Sequence, residues 1–283
     1  MNMPDSFRPA SLGIVCWIAA CVIASAQEAS VLDSETKKSE SGIGIRKLAE
    51  RYEIQNASSN EKLRLVDHPV LSWTNPERNT NAGALFLWTL QSRPQAAMCI
   101  YPTGPNNFDH EFQSLCEEPI KASESGVVLW SPQTPGLKWQ DLPYEPTTAA
   151  STSARRLLAM RRLAGEFSAQ LIPPNRATKP LRLLTTPVYR YVPNELSDEI
   201  VDGALFTFVL GTDPEVLLLI ENYKTDDKSN KWRVAFARMT MVPVELKHHA
   251  SVIWEERDWA RHGFEFPRNI IKQAEFGSIP ESP

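Results

Sequence analysis

The hydrophobic positions change their period along this chain. Over residues 45–52 (Ile-Arg-Lys-Leu-Ala-Glu-Arg-Tyr) the apolar side chains recur three and four apart, which predicts a helix. Residues 160–167 (Met-Arg-Arg-Leu-Ala-Gly-Glu-Phe) repeat the pattern and predict a second helix, in a segment that starts at Ala154. After it come apolar runs of strand length at residues 181–192, 204–211, 216–223, 232–241 and 251–256, punctuated by Gly, Pro, Asn and Asp. Gly211-Thr212-Asp213-Pro214 reads as a tight turn and residues 224–230 as a polar loop. So little chain separates these runs that crossover helices do not fit, and the sheet is expected to be mostly antiparallel. Residues 216–220 (Val-Leu-Leu-Leu-Ile) are apolar without alternation, the mark of a central strand covered on both faces.

The phrase Gly203-Ala204-Leu205-Phe206 also occurs as Gly83-Ala84-Leu85-Phe86. Around the two phrases, large side chains align in order: Trp73 with Tyr191, Trp88 with Phe208, Phe108 with Trp232, Phe112 with Phe236, Trp130 with Trp254 and Trp139 with Trp259. Large residues held in step while the loops drift are what close packing imposes on a duplicated core. The expected fold class is therefore α+β: two tandem copies of a helix followed by a mostly antiparallel sheet of about five strands, packed as a pseudo-dimer. The boundaries read as a signal peptide at 1–26, a polar leader at 27–44, copy one at 45–141, a linker at 142–153, copy two at 154–265 and a C-terminal tail at 266–283. The paired tryptophans are expected in the core rather than on a ligand platform.

The apolar run from Leu12 to Ala24, ending in Ala24-Ser25-Ala26, has the form of a signal peptide cleaved after Ala26. It is too short to span a bilayer with ease, and no later segment is longer. Ile18-Ala19-Ala20-Cys21 offers a second reading, a lipid anchor at Cys21. Export bears on the cysteines, since cleavage leaves only Cys99 and Cys116. If their runs form a hairpin centred near Asn106-Asn107, the two come opposite each other and a disulfide is expected, with two buried thiols as the alternative. The formal charge of −4 and the scattered Lys and Arg give no basic stripe, so nucleic acid is not an expected partner.

No Gly-x-Ser-x-Gly elbow, P-loop, Rossmann glycine pattern, His-Glu-x-x-His or paired Cys-x-x-Cys is present, and no cofactor or metal is expected. His248-His249 lies between two strands beside Lys247 and reads as a solvated turn. The charge that distinguishes copy two from copy one is Asp202, Glu221, Arg238 and the turn acid Asp213, where copy one has Ala82, Tyr101, Ser114 and Arg93. Asp202, Glu221 and Arg238 are the candidate ligand-binding residues, with Glu221 and Arg238 expected as a charge pair on neighbouring strands.

The stretch from Asp202 to Glu221, followed by Trp232 and Ala237-Arg238-Met239-Thr240, resembles a family of uncharacterised exported proteins of planctomycete-type bacteria. That resemblance implies a periplasmic or secreted setting and brings no activity, ligand or catalytic residue with it. The expected function is a non-enzymatic binding or structural module of the cell envelope, meeting an envelope protein or small ligand in the groove between the copies. The rival is an envelope hydrolase with Glu221 and Asp202 as its acid/base carboxylates.

Overall fold

A computed structural model of the chain describes residues 44–78, 80–104, 107–142, 152–192, 200–226 and 229–274. The helix α1 over residues 44–50 leads into strands β1 (Tyr52–Asn56), β2 (Arg64–Leu65), β3 (Leu71–Asn75), β4 (Thr80–Leu90), β5 (Arg93–Gly104), β6 (Asn107–Ser114), β7 (Ile120–Glu124), β8 (Val127–Trp130) and β9 (Gln140–Asp141). The helix α2 (Ser153–Ala164) is followed by β10 (Phe167–Leu171), β11 (Lys179–Leu183), β12 (Tyr189–Tyr191), β13 (Ile200–Leu210), β14 (Asp213–Lys224), β15 (Asn230–Arg238), β16 (Val244–His248), β17 (Ser251–Glu256) and β18 (Arg268–Ala274).

Among the described residues the strands form three antiparallel sheets. The largest has nine strands in the order β17-β16-β10-β11-β13-β14-β15-β9, with β12 also on β13. A second runs β18-β6-β5-β4-β2 with β3 on β4, and a third is β1-β7-β8. Residues 216–220 lie in β14 between β13 and β15, buried on both faces as their unbroken apolarity predicts. Alternation along the strand splits them. Leu217 and Leu219 enter a cluster with Leu85, Leu87, Ala97 and Cys99 of β4 and β5, so the two large sheets share one apolar layer. Val216, Leu218 and Ile220 face outward to Met160, Leu163 and Ala164 of α2. Phe86, Trp88 and Met98 likewise face Ile45, Leu48 and Ala49 of α1 together with residues of the third sheet.

The helices are short and locally determined. Thr152 caps α2 by accepting a hydrogen bond from the Arg155 amide, and Arg161 and Arg162 occupy its last turn, where cations suit the helix dipole. Met160, Leu163 and Ala164 make its one buried stripe.

The α+β expectation is corrected. Of the described residues 56% lie in strands against 11% in helices, so the fold is mostly β, and it is not a pair of helix-then-sheet copies. Pairing crosses the expected boundaries: β9, assigned to copy one, pairs with β15. Residues 268–274, assigned to the tail, form β18 and pair with β6 along its length. Burial of both large sheets against each other needs segments from both halves of the chain. The expected signal peptide, the leader up to residue 43 and most of the linker, residues 143–151, lie outside the described residues. Among the described residues, no helix is long and apolar enough to cross a membrane.

The disulfide is corrected as well. The β5–β6 hairpin forms, but its register places Cys99 opposite Glu111, and Cys116 lies beyond the end of β6. The two thiols also belong to different layers, Cys99 between the large sheets and Cys116 on the α1 side. Both are buried and free, and burial pushes both thiol pKa values up.

Candidate functional site

Glu221 stands in β14 with no exposed surface. Arg93 clamps it with both forks, Nε to Oε1 at 2.8 Å and Nη2 to Oε2 at 3.1 Å. Arg233, directly opposite Glu221 in the β14–β15 register, donates from Nε to Oε2 at 2.9 Å, and the Tyr191 hydroxyl donates to Oε1 at 2.7 Å. Both guanidinium groups lie about the ring of Trp139, at 5.1 and 4.8 Å from its centroid. A carboxylate with four charge-assisted or hydroxyl donors has its lone pairs occupied and no open side. It ties β5, β12, β14 and β15 together.

Asp202 is equally buried and equally engaged. Arg156 of α2 donates to Oδ2 at 2.8 Å, and Arg190 of β12 donates to both oxygens at 3.0 and 2.7 Å. Arg190 also reaches the Ser153 carbonyl at 2.7 Å, so one acid fastens the start of α2 to the sheet. The position coincides with a register shift between Ile200 and Asp202, which turns the acid toward the helix.

Arg238 does not pair with Glu221. The register sets Arg238 opposite Val216, five residues from Arg233 along β15. Its Nη1 instead donates to the Asp258 carbonyl at 2.8 Å, which holds the segment after β17. The three residues expected to form one polar site therefore lie in three separate surroundings.

Of the three, Arg238 alone reaches open space. It lines a cleft of about 570 Å³ walled on one side by Gln113, Glu117 and residues 135–138, and on the other by Phe236, Trp254, Glu256, Asp258, Trp259 and Arg261. The first wall can approach because position 136 is glycine: a Cβ there would sit 2.2 Å from the Ser114 carbonyl oxygen. The second wall is held by the Arg238 contact and by the Ala260 amide, which donates to the Met241 carbonyl at 2.9 Å. Trp259 is 55% exposed, contrary to the expectation that the tryptophans are core residues. Lys138, Arg261, Glu117, Glu256 and Asp258 give the rim both signs of charge. The cleft thus offers an aromatic surface with charge on its edge, the usual arrangement for orienting a ligand.

A second charged cluster lies between the sheets. Asp213 accepts from Asn75 and Arg78, each at 2.9 Å, and Arg78 also lies 2.8 Å from Glu215. Burial and the neighbouring Glu215 push the Asp213 carboxyl up to about 7, and burial raises Glu215 as well. Neither acid lines the cleft. Metal-type donor atoms converge elsewhere, on Glu166, His248 and His249.

Sequence reasoning assigned Trp259 to the core and passed over Lys138 and Arg261, because all three lie outside the strands and periodicity carries no signal for loops that fold back on each other. Comparison with protein-family models, with curated proteins and with solved structures finds no match to this chain.

Proposed function

We propose that this chain is an exported, non-enzymatic binding or structural module of the bacterial cell envelope, and that its protein partner or small ligand sits in the cleft between residues 135–138 and the segment after β17. The observation that carries the reading is the exposed Trp259 on that cleft, beside an arginine already held in place by the Asp258 carbonyl. A monomer gains nothing in stability from a large apolar ring left in water, and aromatic and arginine side chains are those that dominate binding energy. Asp202 and Glu221, the carboxylates on which a hydrolase reading rests, are each held by two arginines and lie away from the cleft. The short apolar N-terminal run and the resemblance of residues 202–240 to exported planctomycete-type proteins support the envelope setting.

The test is thermal unfolding of the chain from Gln27 onward against envelope glycans, peptides, divalent metals and small acids. A ligand at a hundred times its dissociation constant adds about 2.7 kcal/mol, which raises the melting temperature by roughly 5–10 °C for a chain of this size. The expected result is a shift that Trp259→Ala removes. A shift that survives Trp259→Ala and Arg238→Ala, or none across the panel and an envelope extract, contradicts the reading.

A further inference from the structure

His248 ends β16 and His249 begins the turn into β17. Neighbouring residues on a strand point to opposite faces, yet these two present their rings to each other, with centroids 4.3 Å apart. The cause is the backbone of His249, whose φ of 53° takes it out of the extended conformation and turns its side chain back. Few residues other than glycine adopt that region.

The carboxylate comes from 82 residues away. Strand β10 pairs with β16 so that Phe167 faces His248, which places Glu166, just after the end of α2, beside the turn. The His249 amide donates to the Glu166 carbonyl at 2.9 Å and fixes the approach. Glu166 Oε2 then lies 3.2 Å from His248 Nε2 and 3.7 Å from His249 Nε2, and one donor atom from each of the three residues falls within 4.8 Å of the others. The His248 ring is seated on Phe167, with centroids 4.8 Å apart. Lys247, the nearest cation in sequence, points to the other face of β16, where it meets Glu245.

Metal bonds of about 2.0–2.2 Å to imidazole nitrogen and carboxylate oxygen in tetrahedral geometry put ligand atoms roughly 3.3–3.5 Å apart. The two distances to Glu166 bracket that value. A salt link would engage one histidine, whereas here both imidazoles turn Nε2 toward the same carboxylate oxygen. Two imidazoles with one carboxylate suit borderline divalent ions; magnesium and calcium prefer oxygen alone. His249 is 66% exposed against 15% for His248, so a fourth position on the His249 side faces water.

We propose that Glu166, His248 and His249 form a binding site for a divalent first-row transition metal, zinc being the best match, completed by water. The site is separate from the proposed cleft function and stands or falls without it.

The test is calorimetric titration of zinc chloride into the full chain, prepared without an affinity tag and stripped with chelator, followed by cobalt as a spectroscopic probe. Uptake of a single zinc ion per chain is expected, with visible cobalt bands that zinc displaces. His249→Ala and Glu166→Gln are each expected to weaken binding by at least the 10–100-fold that loss of an outer-shell partner alone produces. His249 is exposed, so its variant should melt at the wild-type temperature without metal and separate ligation from folding. Absence of uptake, or uptake unchanged in both variants, overturns the proposal.

Discussion

The ring of Tyr191 lies so close over Gly203 that a Cβ at position 203 would come within 2.3 Å of its carbons. The two residues are directly paired on β12 and β13, and Trp73 covers Gly83 in the same way across β3 and β4. This is a local reason for the recurring Gly-Ala-Leu-Phe phrase: each glycine leaves room for an aromatic ring laid flat on the neighbouring strand. Gly203→Ala and Gly83→Ala should each lower stability by about 1–3 kcal/mol, the usual cost of overpacking. The denaturation midpoint in urea reads the effect. Gly104→Ala is the control, since the nearest atom there is a flexible Asn107 side chain 3.4 Å away.

Glu221 and Arg238 should separate in the same assay. Glu221→Gln removes the carboxylate charge that Arg93 and Arg233 share in a site where the acid is fully buried. Breaking a buried pair costs about 3–5 kcal/mol, and because the Arg93 side chain keeps 28% of its surface in water the lower end, about 3 kcal/mol, is expected. Arg238→Ala removes a hydrogen bond to a backbone carbonyl at the rim, worth about 1 kcal/mol. Equal losses would contradict the assignment of Glu221 as a strut.

Asp213 gives the fold a pH dependence of definite sign. Its carboxyl is pushed up from 3.8 to about 7 by burial and by Glu215, against the pull of Asn75 and Arg78. Between those values the folded chain holds a proton that the unfolded chain has released, so this group's contribution is full below pH 4 and is lost as pH rises toward 7. His110 acts oppositely: burial lowers it from 6.5 to about 4, so its contribution is lost as pH falls through that window. The raw stability curve mixes these groups with Glu215, and the difference between Asp213→Asn and wild type isolates what depends on the Asp213 proton. That difference should move in favour of the variant from pH 4 to pH 7, followed by melting temperature. A difference independent of pH would show that Asp213 titrates as an ordinary surface acid.

Local punctuation made the central strands of the second half legible. The runs at residues 204–211, 216–223 and 232–241 lie largely within β13, β14 and β15 because Gly211 and the 224–230 loop mark their ends. Strand β10 was hidden by a coincidence of spacing. Met160, Leu163, Ala164 and Phe167 fall at helical intervals, yet α2 stops before Gly165 and Phe167 reaches the same core from a strand. Tyr52 after α1 repeats the case. The polar sites depend on register and long-range pairing, which side-chain periodicity does not carry. Glu221 meets Arg93 across 128 residues and meets Arg233, not Arg238, because of a five-residue difference along β15. The carboxylate beside His248 and His249 likewise needs the β10–β16 pairing, and without it the pair reads as a solvated turn.

Melting curves of wild type, Trp259→Ala and Glu221→Gln, each with and without whichever panel compound shifts the wild type most, compare binding and stability in one measurement. The cleft reading predicts that Trp259→Ala keeps the ligand-free melting temperature and loses the shift, while Glu221→Gln melts several degrees lower and keeps it. A shift lost in Glu221→Gln and retained in Trp259→Ala would contradict it and place the ligand at the buried carboxylate instead.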